Sequence, residues 1–298
     1  MNRPSIDVVV PFAGTLAALA DLCTRMARLD LRDGDSLTVV DNRPAAAEPG
    51  RATGTRVLRA PERQSSYFAR NRGAAGGAGE WILFLDADVD PPPDLLDRYF
   101  NAAPAAGTAV LAGGVEDEPL SPGGRYPIAT RYARLRRPMS QRSTMRPGTW
   151  GYAQTANCTV RRAAFEAIGG FCDDIRSGGD ADLCFRLKAA GWGLEPRDAA
   201  SVVHYSRRTV AAMLRQRARH GSGAAWLNRR YPGAFPRTEW RWLASWTVRS
   251  LAHGVVHTVR GRRDEALLAI VEPVSMWAFQ LGRFFPNTIR AASLRPVR

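Results

Sequence analysis

Trp81-Ile82-Leu83-Phe84-Leu85-Asp86-Ala87-Asp88-Val89-Asp90-Pro91-Pro92-Pro93 is the stretch on which the fold turns. Five successive large apolar residues show no alternation, which suits a strand buried on both faces. The run ends at once in acids and three prolines, which can continue neither a ladder nor a helix. Upstream, Ile6-Asp7-Val8-Val9-Val10 before Pro11 reads as a second buried strand. Ser36-Leu37-Thr38-Val39-Val40, stopped by Asp41-Asn42-Arg43-Pro44, reads as a third, and Arg56-Val57-Leu58 as a short fourth. Between them, residues 16–29 carry helical spacing through Leu16, Leu19, Leu22 and Met26. Residues 65–78 form another helix, weakened at its end by Gly76-Gly77, and residues 45–54 read as a polar loop. This alternation predicts an α/β fold, a mostly parallel sheet wound with helices.

Downstream, Val110-Leu111-Ala112 reads as a strand. Residues 116–151 are rich in Pro, Gly and Arg without clear periodicity and read as one long loop. Order returns at 154–160, then come helices at 162–167 and 182–190 and a last strand at Val202-Val203-His204. Helical, Trp-rich segments follow. The predicted organisation is a catalytic body over residues 1–205 and a basic helical extension over 206–298.

The composition, 45% apolar and 23% charged over 298 residues, is that of a globular chain able to bury a sizeable core. Cys23, Cys158, Cys172 and Cys184 form no CxxC pair, so they read as reduced core residues rather than a zinc site or disulfide framework. Met1 to Pro11 lacks a basic-then-apolar leader pattern. No stretch reaches the roughly 18 uninterrupted apolar residues of a spanning helix; the closest, 266–281, is broken by Glu272 and Pro273. Charge is uneven. Residues 201–298 hold seventeen arginines against four acids, nearly the whole chain's net +14. A basic tail on a neutral body asks for an anionic partner, a membrane surface or nucleic acid.

Asp86 and Asp88 stand just past a buried strand, where ligands collect in sheets of this kind. Two carboxylates there can hold Mg²⁺ or Mn²⁺ and neutralise a diphosphate. The structural alternative is a polar strand end followed by a stiff turn. The surrounding order adds weight: Val8-Val9-Val10-Pro11-Phe12, Val39-Val40-Asp41-Asn42, Ala69-Arg70-Asn71-Arg72-Gly73, then Leu83 to Asp88. Further along come Ala156-Asn157-Cys158-Thr159-Val160, Ile168-Gly169-Gly170-Phe171, Gly178-Gly179-Asp180-Ala181-Asp182-Leu183 and Gly191-Trp192. This succession resembles family 2 glycosyltransferases of the GT-A fold over about residues 5–205.

The resemblance implies roles. Pro11 and Phe12 would line the nucleotide base pocket, with Asp41 bonded to the base and Arg70 near base or diphosphate. Asp86, Ala87 and Asp88 would meet the nucleotide sugar, the two acids sharing a Mg²⁺ or Mn²⁺ ion that His204 completes. Asp180 would be the catalytic base that deprotonates the acceptor. The donor would be of UDP, GDP or dTDP type, and the acceptor a glycan, lipid-linked glycan or metabolite. One base and no enzyme nucleophile imply inversion. Two departures stand out: Phe12-Ala13-Gly14 replaces Thr-Tyr-Asn, and Gly179-Asp180 replaces Glu-Asp. Gln216-Arg217-Ala218-Arg219-His220 resembles the acceptor-side QxxRW motif of processive members, marking Gln216, Arg219 and His220, with His220 where Trp is expected.

Each residue also has a structural reading. Asp41 could form a turn with Asn42, Arg70 could pair with a surface acid, and His204 could be a packed strand-end histidine. Asp182 reads as the N-cap of a helix beginning at Leu183. Asp180, after Gly178-Gly179, reads as an acid in a flexible turn. Five tryptophans in the tail (Trp226, Trp240, Trp242, Trp246, Trp277) stand among arginines. They suit either a membrane interface or a helical cap packed on the core. The expected location is cytoplasmic, with the tail at the inner face of the cell membrane. No RNA- or DNA-binding motif accompanies the charge. A haloacid-dehalogenase-like phosphatase, a third reading of Leu83 to Asp88, wants Thr where the chain has Asp90.

Overall fold

The computed structural model describes residues 3–44, 55–121 and 124–289, so the loop expected at 45–54 lies outside the described residues. In chain order the elements are β1 (Ile6–Phe12), α1 (Leu16–Met26), β2 (Ser36–Asp41), β3 (Arg56–Arg59), α2 (Ser66–Ala74) and β4 (Trp81–Leu85). Then come β5 (Val89–Asp90), α3 (Leu95–Tyr99), β6 (Thr108–Asp117), α4 (Ile128–Arg136), α5 (Gln141–Thr144) and β7 (Asn157–Arg161). The last are α6 (Arg162–Ala167), α7 (Gly179–Ala189), β8 (Gly193–His204), α8 (Val210–Arg230), α9 (Trp240–Val259) and α10 (Arg263–Gly282).

The described residues fall into two compact units. The first takes residues up to 116, 139–204 and 288–289; the second takes 117–138 and 205–287. The strands form one sheet in the order β3-β2-β1-β4-β7-β6-β8-β5. Its first half is parallel, with β1 between β2 and β4 and β3 at the edge. Beyond β4 strands pair antiparallel, β4 with β7, β7 with β6 and β5 with β8. The sheet is thus mixed.

The apolar runs behave as their composition dictates. Every residue of β1 and β4 is buried, and Leu19, Leu22, Cys23 and Met26 of α1 pack with them in one core. Side-chain oxygens cap the helices: Thr15 accepts from the Ala18 amide, and Ser65 from those of Tyr67 and Phe68. Each satisfies donors that a helix start leaves open. The fully buried Asn157 is also saturated, donating to the carbonyls of Gly114 and Ala200 and accepting from the Tyr99 hydroxyl. It cross-links β7 to β6 and β8.

Three expectations are corrected. Residues 116–151 are not one loop, since they contain the end of β6, all of α4 and α5. Ala129, Thr130, Tyr132 and Ala133 give α4 a buried face, but its interleaved arginines hide the pattern. α7 begins at Gly179, three residues before the expected start, so Asp182 is not an N-cap. That place belongs to Gly178, whose φ of 90° is a left-handed conformation costly for any side chain. Of the cysteines, Cys23, Cys158 and Cys184 are buried thiols, whereas Cys172 is only half-buried.

In the second unit, Ala129 and Tyr132 of α4 cluster with Met213 of α8, and Leu268 and Val271 of α10 pack against them. A Cβ at Gly221 would sit 1.9 Å from the Phe279 carbonyl oxygen, and one at Gly282 would sit 2.0 Å from that of Ala218. The two glycines let the backbones of α8 and α10 touch. Pro273 lies inside α10 and brings no N–H to the Ala269 carbonyl four residues earlier. The Ser250 hydroxyl of α9 donates to that carbonyl at 2.9 Å instead. Among the described residues, no helix is long and apolar enough to cross a membrane.

Candidate functional site

The acids after β4 are held from two sides. The Asp86 amide donates to the Ala156 carbonyl at 3.2 Å, and the Val89 amide to the Asp86 carbonyl at 3.4 Å, closing a turn. From α1, Arg25 Nη2 donates to the Ala87 carbonyl at 2.7 Å, and Arg28 pairs with Asp90. The β5–β8 register sets Val89 opposite His204. In consequence His204 Nε2 stands 3.9 Å from Asp88 Oδ2. Burial of His204 in the strand and its approach to Asp88 have one cause, the antiparallel pairing.

Arg70, on α2 and almost fully buried, ion-pairs with Asp86. Its guanidinium carbon lies 5.6 Å from the Tyr67 ring centre and 5.9 Å from that of Phe171, within cation–π range. Arg70 Nε is buried with no hydrogen-bond partner among the described residues. Asn71 clasps Phe171 through both backbone groups at 2.9 Å each, which fixes the Gly169-Gly170-Phe171 turn beside α2.

Asp180 lies in the first turn of α7, not in a flexible loop, and accepts from the Ala181 amide at 3.0 Å. Burial pushes its carboxyl above the ordinary range; the negative charge of Asp86 adds to this, while that amide and Arg70 oppose it. Asp180, Arg70 and Asp86 therefore form one electrostatic cluster. The position before Asp180, where the resembling family carries Glu, is filled differently. A Cβ on Gly179 would come within 2.6 Å of the Tyr67 ring. Tyr67 occupies that space. Around Asp180, burial raises the thiols of Cys158 and Cys184, the latter to about 12, so both stay protonated.

Other expected residues are engaged elsewhere. Asp41 is fully buried and accepts from the Arg43 amide and guanidinium and from Arg59, at 2.7 to 3.1 Å. Although burial alone would raise it, these bonds bring its pKa down to about 2. Four donors from two arginines thus hold its two oxygens. Pro11 and Phe12 are buried in β1, and the Phe12 ring packs into the core. Asp182 is fully buried and accepts from Arg186 Nε at 2.9 Å. Arg186 in turn donates to the carbonyls of Ile168 and Gly170, so this pair is architectural.

Gln216, Arg219 and His220 lie on α8 in the second unit. Burial, with the charges of Arg219, Arg217 and Arg207 behind it, pushes His220 down to about 3, so its imidazole is neutral at physiological pH. Among the described residues, no three His, Cys, Asp or Glu side chains converge as a metal-holding group. Asp88 and His204 face each other, while Asp86 is turned to Arg70. A cleft of about 530 Å³ in the first unit, lined by Met145, Arg146, Lys188 and Trp192 among others, contains none of the expected site residues.

Arg25, Asn71 and Tyr67 were not singled out from the sequence. Arg25 acts across 62 positions and gives no local signal. Asn71 and Tyr67 flank Arg70 within α2, where helical spacing around a candidate residue could have flagged them.

The sequence pattern of glycosyl transferase family group 2 matches residues 81–284. The pre-mycofactocin glycosyltransferase of Mycobacterium tuberculosis is 28% identical over 239 residues, 78% of this chain. The chain spans only 49% of that relative, about half its length. Succinoglycan biosynthesis protein ExoA of Rhizobium meliloti is 26% identical over 266 residues, 82% of this chain and 75% of that one. Among solved structures, a Pyrobaculum calidifontis mannosyltransferase in complex with GDP-Man and Mn²⁺ superposes with a TM-score of 0.55 at 17% identity, covering 94% of this chain and 73% of that one. Glucosyl-3-phosphoglycerate synthase of M. tuberculosis, in complex with Mn²⁺, UDP-glucose and phosphoglyceric acid, gives 0.50 at 15% identity, covering 76% and 79%.

Proposed function

The chain belongs to glycosyl transferase family group 2, and on that premise we propose that it moves a sugar from a nucleoside-diphosphate sugar to an acceptor hydroxyl with inversion. The α/β fold is of GT-A type. The observation that carries the reading is the cluster of Asp180, Arg70 and Asp86, with Asp88 and His204 beside it. Asp180 is the base. A carboxylate whose proton affinity is raised takes a hydroxyl proton more readily than an ordinary one, provided it is ionised when the acceptor arrives. As the acceptor oxygen bonds to the anomeric carbon, the bond to the diphosphate breaks and the proton passes to Asp180. With Asp180 taking the proton and Asp86 held by Arg70, the acceptor oxygen is itself the nucleophile, and a single displacement inverts the centre.

Arg70 contributes fixed positive charge beside the acid turn, and its unpaired Nε suits an anionic ligand. Asp88 and His204, a carboxylate and an imidazole that face each other, would hold a Mn²⁺ or Mg²⁺ ion. When bound, the ion supplies charge neutralisation to the departing nucleoside diphosphate. Asp86, held by Arg70, is a positioning acid in this arrangement. Pro11, Phe12 and Asp41 stand toward the ends of β1 and β2, and we read that end of the sheet as the base side of the donor site. Both structural neighbours were solved with Mn²⁺ and a nucleotide sugar, which supports the donor class. The curated relatives act in glycan and metabolite glycosylation by their names, and we assign the acceptor to a glycan, a lipid-linked glycan or a glycosylated metabolite. The basic tail is read as a peripheral contact with anionic membrane, and Gln216, Arg219 and His220 as acceptor-side residues.

Calorimetry with UDP, GDP and dTDP, each with and without Mn²⁺, tests the donor site on wild type and Asp88→Asn. One nucleotide should bind, and its affinity should drop about 10–100-fold on removing either metal or the Asp88 charge. Binding of none, in any condition, would sink the proposal.

A further inference from the structure

A helix on a protein surface ordinarily turns an apolar stripe inward and a polar face to water. α9 does not. Its packed side carries Leu243, fully buried, and Gly254, whose hydrogen side abuts Ile270 of α10. A second side carries Val248, Leu251, Val255 and Val259, exposed by 69%, 40%, 64% and 83%. Steps of three, four and four residues bring these onto one face along the last three turns. The helix is therefore apolar on two sides, and among the described residues nothing covers the outer one.

The border of that stripe is positive. α9 contains no Asp or Glu, and Arg241 and Arg249 are exposed on it. Arg260, Arg262 and Arg263 follow directly after its end, ahead of Asp264 and Glu265, and Glu239 stands at its N-cap, so the arginines remain in excess. At its start Trp242, 49% exposed, stacks on Trp246 with ring centres 5.8 Å apart. Aliphatic side chains, a rim of arginine and an amphipathic tryptophan match the layers of a bilayer interface, from acyl boundary to phosphate.

We propose that this face of α9 lies in the plane of an anionic bilayer surface, with Val248, Leu251, Val255 and Val259 in the acyl boundary and the flanking arginines at the lipid phosphates. The proposal deepens, and rests on, the reading of the tail as a peripheral membrane contact, and it names the face responsible. A second copy of the chain fits less well. Pairing two such faces would press their arginines together without one α9 acid between them.

Flotation of the full chain with phosphatidylcholine vesicles, with and without phosphatidylglycerol, tests it. Wild type should float with the anionic vesicles only, and less at high salt. Val248→Glu with Val255→Glu should weaken recovery about tenfold or more, with helicity and melting temperature unchanged because both sites are exposed. Arg241→Ala with Arg249→Ala should lose the preference for phosphatidylglycerol. Wild type that stays unbound, or a Glu variant that floats equally well, overturns the assignment. So does a wild-type dimer that the Glu variant disperses without either binding vesicles. Nucleotide binding measured on the same preparations reports on the transferase reading separately, since neither valine is placed in that site.

Discussion

Asp180 carries two opposed demands. A half-buried carboxylate with Asp86 nearby is costly to ionise, yet a base must be ionised to work. Asp180→Asn should lower kcat by roughly 10²–10⁴-fold and leave nucleotide affinity intact. Linkage gives the sign of its effect on stability. Because the folded pKa lies above the unfolded value, the folded state holds the proton longer, and stability falls as pH rises from the ordinary carboxylate value through the raised one. Above that window the Asn variant should melt at or above wild type. Wild-type activity should climb with pH through the same window. Melting curves across pH, read beside pH–rate profiles, check both; a variant that melts well below wild type at neutral pH would make Asp180 a structural acid. Asp41 has the opposite character. Its pKa of about 2 marks an acid held ionised by Arg43 and Arg59, and that stabilisation is present above the unfolded value and lost as pH falls toward 2.

At the scale of elements, the acid turn is only as well placed as the helix that holds it. α1 reaches it through Arg25 at the Ala87 carbonyl and Arg28 at Asp90. Arg25→Ala removes a bond to the backbone between Asp86 and Asp88 while touching neither carboxylate. Nucleotide affinity in the presence of Mn²⁺ should fall about 10–100-fold, as for other residues that orient a ligating group. Affinity without metal should change little. Arg25→Lys cannot reproduce a guanidinium bond of fixed direction and should rescue only in part. Calorimetry distinguishes this from general loosening, which would weaken both states alike. This contact also shows where the sequence stops being legible. β1 and β4 were readable because a strand buried on both faces is a local, continuous signal; Asp86 and Asp88 stand out as acids beside one, whereas Asp180 is marked chiefly by the family resemblance. Arg25 is one arginine among many, and its meaning lies 62 residues away. Asp41 was visible as an acid at a strand end, but its four donors come from Arg43 and from Arg59 across the neighbouring strand. α4 was missed for a related reason: its apolar face is short, and what it packs on, α8 and α10, arrives much later in the chain.

That late arrival matters for the whole molecule. A seam drawn from charge alone falls near residue 205, where the arginine-rich part begins. The compact units divide otherwise, because residues 117–138 belong with 205–287. Within that second unit Tyr132 and Arg136 of α4 both bond Glu272 of α10, at 2.5 and 2.8 Å. Ala129 and Tyr132 pack with Met213 of α8. A chain stopped at residue 204 would keep every strand but strip α4 of these partners. Its apolar face, Ala129, Tyr132 and Ala133, would meet water in the middle of the polypeptide, and an uncovered patch of this kind promotes association. We expect the 1–204 chain to be far less soluble than the full one and to bind a hydrophobic dye in its native state. Removing 118–138 as well, with a short Gly/Ser bridge, should recover soluble protein, since the uncovered helix goes with its partners. Soluble yield, dye binding and melting temperature of the three chains decide it. Equal behaviour of the full and 1–204 chains would mean that the basic helices cover nothing α4 needs.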